Sequence, residues 1–133
     1  MHADGCALVS TTLPLRVNLT ALENIALIQQ FHARLNWLHA SAQAQHLLNL
    51  AGHGDCAMKR DEDLTPTQRF AVKMARAIVQ SRPLLVIDRP ALLLPDSPYP
   101  TLLASLLHSL SDALPDYQIL DYDWNKPLYQ GLI

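Results

Sequence analysis

Short apolar runs alternate with longer amphipathic segments along the chain. The runs Cys6–Ser10, Leu84–Ile87 and Tyr117–Leu120 have the length of β-strands. Leu84–Ile87 is apolar at every position, which is typical of a strand buried on both faces of a parallel sheet. An amphipathic segment of crossover length joins it to Tyr117–Leu120. The pattern therefore predicts two parallel strands, with Leu84–Ile87 at the centre of the sheet.

Two of the amphipathic segments begin with a capping box. Thr20 and Glu23 are spaced so that the threonine hydroxyl accepts the amide of Glu23 while the carboxylate reaches back to the amide of Thr20. Thr65 and Gln68 repeat this spacing, and Pro66 stands at the first helical position, where its missing N–H costs nothing. The sequence therefore predicts a helix start at each of these two places.

Glycine and proline bound the other predicted elements. A helical pattern over about 36–51 ends at Gly52, since glycine readily adopts the left-handed conformation that follows a helix. Another helical pattern covers Thr101–Leu114 and stops at a proline. We expect a proline-punctuated loop over Ala91–Pro100, and the pattern gives no firm assignment for Trp124–Ile133.

Length and composition indicate one globular domain. The 133 residues are 50% hydrophobic, so the chain has enough apolar side chains for a core. The net charge is −2 and no cluster of lysine and arginine occurs, so nucleic acid is not an expected partner. Cys6 and Cys56 are expected to be free thiols. Because no apolar run reaches the roughly 18 residues of a membrane span and no secretory leader is evident, we expect a soluble, cytoplasmic protein.

Two kinds of ligand site lack their sequence signals. None of the glycines, Gly5, Gly52, Gly54 and Gly131, lies in a loop that leads to Lys-Ser or Lys-Thr, so the sequence contains no phosphate-binding P-loop. Histidines recur every seven residues at His32, His39, His46 and His53. On one helix they would lie about 10.5 Å apart, too far to share a metal ion. We therefore predict no metal site.

Four segments in order resemble ABC transporter ATPases. Leu64–Arg69 is similar to the signature LSGGQ of that family, Ala75–Ile78 to its ARAL, and Leu84–Pro90 to its Walker-B segment LLLLDEP. Leu19–Ile25 is similar to the LTVLENI segment that follows the Q-loop. The resemblance covers about Ala7 to Asp123. It implies an α/β fold, a partial P-loop-NTPase-like parallel sheet with an ABC-type helical subdomain.

The chain departs from the family pattern where that family does its chemistry. Arg89 stands at the position of the catalytic glutamate, and a guanidinium stays protonated, so it cannot polarise an attacking water. Tyr122 stands at the switch histidine, Thr11 or Ser10 at the Q-loop glutamine, and Pro95 at the D-loop aspartate, with Asp96 one place late. These substitutions predict that the chain alone does not hydrolyse ATP.

Three positions keep a residue type that the resemblance connects with nucleotide. Asp88 matches the Walker-B aspartate, which in the family helps to hold magnesium through water; the alternative is an aspartate that caps the turn after a strand. Thr65 and Gln68 match signature residues, while Pro66 and Thr67 replace the two glycines. The alternative for this segment is a plain helix cap. We therefore take Asp88, Thr65 and Gln68 as remnants of a nucleotide site and predict no catalytic residue.

The sequence supports two hypotheses about function and leaves a third open, a decayed remnant with no function, which it does not separate from the first. We expect a single domain over 1–133, with a helical subdomain at about 20–80 and a partial catalytic-core sheet at about 82–133. In the first hypothesis the chain is a non-hydrolysing scaffold in a transport system, in the cytoplasm or at the inner face of the membrane. A membrane permease subunit, an ATPase subunit or a second copy would be its partner. In the second, it is the C-terminal portion of an ATP-binding subunit. No cofactor is expected for the chain alone. Mg-ATP is the expected cofactor only if a partner or upstream residues supply the P-loop.

Overall fold

The computed structural model describes residues 5–95 and 98–132. Its sheet has three strands, β1 (Cys6–Val9), β2 (Leu84–Asp88) and β3 (Asp116–Leu120), in the order β1-β2-β3. Both pairings are parallel. Val86 of β2 lies opposite Leu8 on one side and Gln118 on the other. The predicted central position of β2 and its parallel pairing with β3 are confirmed.

The five helices pack on and beside this sheet. They are α1 (Ala21–His32), α2 (Trp37–Leu50), α3 (Pro66–Ile78), α4 (Pro90–Leu93) and α5 (Tyr99–Ser109). Short 3-10 helices cover Gly54–Cys56, Asp61–Asp63 and Asp123–Tyr129. Both predicted capping boxes form, one at the start of α1 and one at the start of α3. Gly52 follows α2 with a φ of 81°, the conformation for which a glycine was expected there.

The prediction of a loop over Ala91–Pro100 is wrong for part of that stretch. Pro90 is the first residue of α4, and α5 begins at Tyr99 with Pro100 in its first turn. Proline is tolerated in the first turn of a helix because the N–H it lacks would have no partner there. The prolines thus mark helix starts. At the other end, α5 stops at Ser109, five residues before the predicted Leu114.

The hydrophobic core consists of two clusters that meet at α3. The sheet cluster covers one face of the sheet with side chains of α3 and α5: Ala7, Val9, Phe70, Ala71, Met74, Ala77, Leu85, Ile87, Leu93, Leu94, Leu103, Leu106, Leu107 and Leu110. The helical cluster joins α1, α2 and the other side of α3: Leu15, Ala21, Ile25, Ala26, Ala40, Ala44, Leu47, Leu48, Cys56, Ala57, Leu64, Val72, Ala75 and Val79. α3 is therefore the element that holds the helices to the sheet.

The second face of the sheet belongs to neither cluster. Successive side chains of a strand point to opposite faces, so Leu85 and Ile87 enter the sheet cluster while Val86 points the other way. Val86 is 3% exposed, and Leu8 and Leu84 beside it are half-buried. Leu120, at the end of β3, is 48% exposed on this side. An apolar strip thus runs along the face opposite α3 and α5.

Two further expectations concern thiols and membrane spans. Cys6 and Cys56 are free thiols, as expected. None of the helices in residues 5–95 and 98–132 is both long enough and apolar enough to cross a bilayer.

Candidate functional site

The carboxyl ends of the three parallel strands meet at one edge, where ligands of open α/β sheets are usually bound. Val9, Ile87 and Ile119 lie side by side in register. The residues that follow them therefore collect at this carboxyl edge, which we define as residues 10–12, 88–89 and 121–122. It contains five of the residues that the sequence singled out, namely Ser10, Thr11, Asp88, Arg89 and Tyr122.

Asp88 and Arg89 form an ion pair at the end of β2. The arginine Nε lies 3.2 Å from one carboxylate oxygen of Asp88, and its Nη2 lies 3.3 Å from the other. The backbone N–H of Arg89 donates to the carbonyl oxygen of Leu120 at 2.7 Å, which attaches this residue to the end of β3. Arg89 has a φ of 48°, in the left-handed region.

Tyr122 makes the next contact of the carboxyl edge. Its side chain lies near the guanidinium of Arg89, whose pKa is raised by the hydrogen bond to Asp88 first and by Tyr122 second. The phenol ring stacks on the indole of Trp124, with centroids 4.5 Å apart and planes within 3° of parallel. Tyr122 and Arg89, which the sequence resemblance matches to the switch histidine and the catalytic glutamate, therefore lie side by side.

Asp121 organises the segment that follows β3. Its carboxylate accepts hydrogen bonds from the Tyr129 hydroxyl at 2.6 Å, from the Asn125 amide at 2.9 Å and from the backbone N–H of Tyr122 at 2.7 Å. Partial burial raises its pKa, but these bonds outweigh that effect and the net pKa is lowered. Tyr129 also packs edge-on against Tyr99 at the start of α5. The chain after β3, unassigned from sequence, is thus fixed to the carboxyl edge.

The residues that follow β1 are held in place by side chains of α3. Thr11 is exposed, whereas Ser10 is 1% exposed and its hydroxyl bonds to that of Thr12 at 3.0 Å. Of the two candidates for the Q-loop position, Ser10 is therefore the one that faces inward. Its carbonyl oxygen accepts a hydrogen bond from Lys73 Nζ at 3.1 Å.

Sequence reasoning missed the role of Lys73 and Arg76. Lys73 is 6% exposed, and burial lowers its pKa, as do, to a smaller extent, the neighbouring Arg76 and Arg69. Arg76, one turn further along α3, donates to the carbonyl oxygens of Leu13 and Pro14. The available signal was a lysine at an otherwise apolar position of an amphipathic helix. Together the two side chains fasten the loop after β1 to α3.

The signature-like segment forms a self-contained helix start. The Thr65 hydroxyl accepts the backbone N–H of Gln68 at 3.1 Å, and the Gln68 side chain accepts that of Thr65 at 3.0 Å. Pro66, as the first residue of α3, contributes no N–H donor. Thr65 and Pro66 are exposed. In the described part of the chain, no hydrogen bond joins Thr65 or Gln68 to Asp88.

Pro95 lies in the turn after α4 and is exposed. Asp96, which the sequence places one position late for the D-loop aspartate, lies outside the described residues.

A groove beside α1 is the other prominent surface feature. We call it the α1 groove; its volume is about 480 Å³, and it is lined by Arg16, Leu19, Glu23, Asn24, Leu27, Ile28, Phe31, His32 and Arg76. Phe31 is 79% exposed at its rim. Asn24 supports the loop side of the groove, because its amide exchanges hydrogen bonds with the backbone of Arg16 at 2.8 and 3.2 Å. Apart from Arg76 of α3, the residues that line the groove belong to α1 and to the loop before it.

The donor set of the carboxyl edge does not fit magnesium and a nucleotide. Both oxygens of Asp88 face the guanidinium of Arg89. The pocket of about 330 Å³ beside it is lined by two carboxylates, Asp121 and Asp123, against one ammonium, Lys126, which disfavours a polyphosphate. Within the part of the chain that the structure describes, no three His, Cys, Asp or Glu side chains are grouped to hold a metal ion.

Comparisons with known proteins show which solved structures this architecture resembles. No family model matches the sequence, and no curated protein matches it. Among solved structures, the chain is similar to the ATP-binding cassette MJ0796 in a dimeric post-hydrolysis state bound to ADP and Pi, with 27% identity and a TM-score of 0.71. It is also similar to a dimeric structure of MJ0796 described as a bacterial ABC transporter cassette, with 26% identity and a TM-score of 0.69.

The match extends over nearly all of this chain and half of the neighbours. It covers 92% of this chain in both cases but 54% of the cassette. The α/β fold with a three-stranded parallel sheet is that of part of an ABC transporter ATPase cassette. The expected partial P-loop-NTPase-like sheet is thereby confirmed.

Proposed function

We propose that this chain is a non-hydrolysing ABC-ATPase-like protein that serves as an interaction scaffold for a transport system. The observation that carries the proposal is the α1 groove, an apolar depression with the ring of Phe31 79% exposed at its edge. Large apolar side chains on a concave surface are typical of sites that bind another protein. Leu19, Leu27 and Ile28 supply the other apolar groups of the groove.

The partner in this proposal is a membrane permease subunit. In the ABC family that the sequence resembles, a coupling helix of the membrane subunit enters the groove between the Q-loop and the helical subdomain. An amphipathic helix binds such a groove through apolar residues on one face. Binding of this kind requires no nucleotide, and it would bring the chain to the inner face of the membrane.

The absence of hydrolysis in this proposal follows from the chemistry of the replacements. Arg89 donates to Asp88 and keeps its proton, so it cannot act as a general base. A phenol at Tyr122 cannot replace an imidazole that responds to a phosphate. The glycine-rich loop whose amides would surround that phosphate has no counterpart in the sequence.

Site-specific photocrosslinking tests the docking role. A photoreactive phenylalanine analogue at position 31 is expected to crosslink a polytopic permease in native cells, identified by mass spectrometry. The same analogue at Met58, which is 74% exposed outside the groove, serves as the matched control and is expected to give no such product. Equal crosslinking from both positions, or a partner other than a permease at position 31, would contradict the docking role.

Nucleotide assays test the second half of the proposal. The chain is expected to bind Mg-ATP more weakly than about 10 μM, equivalent to roughly −7 kcal/mol, in calorimetry. Arg89→Glu is expected to release no phosphate from ATP, because a general base contributes roughly 10²–10⁴-fold only when the substrate is already positioned. Turnover by this single variant would reveal a nucleotide site elsewhere.

A second candidate function is that of one portion of a cassette completed by other residues. Two observations favour it: the chain spans 54% of the cassettes that it matches, and the sheet face outside both core clusters is only partly covered, with Val86 buried but Leu120 48% exposed. Both faces of parallel sheets are normally covered. In this case the P-loop comes from another chain or from residues upstream, and Mg-ATP is the cofactor of the whole.

Two measurements distinguish the candidates. An in-frame P-loop in the coding DNA immediately upstream would favour the completed cassette, and its absence would favour the scaffold or a P-loop on a separate chain. Light scattering at about 100 μM decides whether the apolar strip is closed by a second copy, because unpaired edges and apolar faces promote association. We expect a dimer, and a strict monomer would remove the homodimer from the proposal.

A further inference from the structure

The backbone at Arg89 has a conformation that arginine rarely adopts. Its φ is 48°, and the other non-glycine residues with positive φ in the described part of the chain are Arg34 and Ser81, both at 55°. In an extended strand, neighbouring side chains point to opposite faces, so an arginine that continued β2 would point away from Asp88. The left-handed turn brings the guanidinium back towards the preceding carboxylate.

The turn is held from two sides. The N–H of Arg89 donates to Leu120 at 2.7 Å, so the residue bridges the ends of β2 and β3. The guanidinium lies 3.2 and 3.3 Å from the two oxygens of Asp88, and Tyr122 is its further partner. Strained backbone of this kind persists where surrounding contacts determine it, and such contacts occur at functional sites.

We infer that Arg89 is a built-in counter-cation of the carboxyl edge, standing at Asp88 where a divalent cation stands in a nucleotide site. The bidentate contact supplies the positive charge that the carboxylate needs. The backbone N–H of the same residue, bonded to Leu120, joins the ends of β2 and β3. This role is independent of the α1 groove and of its partner.

Trp124 reports on the state of this edge. Its indole stacks on Tyr122 with the ring centroids 4.5 Å apart, and the Tyr122 side chain lies near the guanidinium of Arg89. Loss of the guanidinium should therefore change the surroundings of the indole. Trp37, the second tryptophan, can be replaced by phenylalanine to leave one reporter.

A double-mutant cycle in the Trp37→Phe background tests the pair. Asp88→Asn and Arg89→Gln are each expected to lower Tm by about 2–4 °C and to weaken the near-ultraviolet circular dichroism of Trp124. The double variant is expected to lose no more than either single variant. Arg34→Gln, at the other left-handed arginine, is expected to change neither signal. Additive losses, or an equal loss at position 34, would overturn the inference.

Cation binding supplies an independent measurement. The unmodified chain is expected to leave the electron paramagnetic resonance signal of about 1 mM Mn²⁺ unchanged, because Asp88 is already paired. Stoichiometric binding below about 100 μM that Asp88→Asn abolishes would overturn the inference. If Arg89→Gln does not fold, Arg89→Lys replaces it, since lysine keeps the charge and loses the two-pronged geometry. We then expect an intermediate Tm, and a wild-type Tm and dichroism would contradict a role for the bidentate contact.

Discussion

The signature-like start of α3 and the carboxyl edge both lack residues of the family pattern, but they differ in how their present residues are held. At Thr65 and Gln68 every side-chain hydrogen bond given by the structure spans three residues. At the carboxyl edge, contacts join the end of β2 to β3 and to the segment after it. The helix start is thus held by local capping, whereas the strand end is held by partners from elsewhere in the fold.

This contrast also explains the chemistry that each region retains. A capped helix N-terminus keeps the positive end of its dipole, although Pro66 contributes no amide. The carboxyl edge keeps the aspartate of its strand but surrounds it with a fixed cation and an aromatic pair. The first region has one backbone donor fewer because of Pro66, and the second has side-chain contacts around its aspartate.

The largest expected effect comes from α3, which begins at the signature-like segment and bonds to the carboxyl edge through Lys73. Phe70 is 2% exposed and belongs to the sheet cluster, one turn from the capping box. Phe70→Ala is expected to lower the free energy of unfolding by about 3–5 kcal/mol, because it removes buried area and leaves a cavity. Urea unfolding measures this loss. Phe31→Ala, at a side chain 79% exposed, is the control and should stay within about 0.5 kcal/mol. Comparable losses at both positions would mean that α3 does not hold the sheet.

The Thr65→Ala variant tests whether the helix start and the carboxyl edge are independent of each other. Loss of the cap is expected to cost about 1 kcal/mol, within a range of roughly 0.5–2, in urea unfolding. The near-ultraviolet dichroism of Trp124 should not change, since the capping box shares no hydrogen bond with the carboxyl edge among the described residues. Thr101→Ala, at an exposed position of α5, is the matched control. A change at Trp124 in the Thr65 variant would show that the two regions are coupled.

Sequence predicted what depends on neighbours in the chain. Both capping boxes, the apolar strand Leu84–Ile87 and the left-handed Gly52 follow from spacing and residue type. The start of α5 was missed because the prolines around Tyr99 read equally as loop residues or as first-turn residues. Only the packing of Leu103 and Leu107 against the sheet distinguishes these readings.

The sequence predicts which residues belong to the candidate site, but it does not predict the contacts that they make. The motifs single out Asp88, Arg89 and Tyr122 one by one, and they indicate for Arg89 only that it cannot act as a base. Its ion pair depends on a left-handed backbone that a sequence pattern does not indicate. The hydrogen bond from Lys73 to Ser10 depends on how α3 packs over β1, so it too could not be predicted from the sequence.

Lys73 lies on α3 between the two regions, and its burial predicts a stabilising substitution. Its pKa is lowered by burial, so the folded state binds the lysine proton more weakly than the unfolded state does. Lys73→Met is therefore expected to raise stability by about 1 kcal/mol at pH 7. The lowered pKa makes wild-type stability rise with pH up to the ordinary lysine range, so the advantage should shrink between pH 7 and about 10. A destabilised variant at pH 7 would show that the bond to Ser10 outweighs the cost of burial.

The smallest expected effect concerns the hydrogen bond between Tyr129 and Asp121, 2.6 Å long, at the far end of the carboxyl edge. Tyr129→Phe is expected to cost about 0.5–1 kcal/mol at pH 7 in urea unfolding, a figure kept low because Asp121 is largely solvated. The net pKa of Asp121 is lowered, so this contribution is lost as the pH falls through the folded-state pKa of the carboxyl.

At alkaline pH the stabilising contribution of this hydrogen bond is lost for a different reason, the ionisation of Tyr129. Burial first, and the bond to Asp121 second, raise the pKa of Tyr129, so the unfolded state loses the phenolic proton before the folded state does. The difference between wild type and Tyr129→Phe should therefore be constant between about pH 5 and 9 and shrink on both sides. Tyr99→Phe, at the ring that packs against Tyr129, keeps the bond to Asp121 and is the control expected to retain the acid limb. A difference that does not vary with pH would mean that ring packing, rather than the hydrogen bond, fixes the segment after β3.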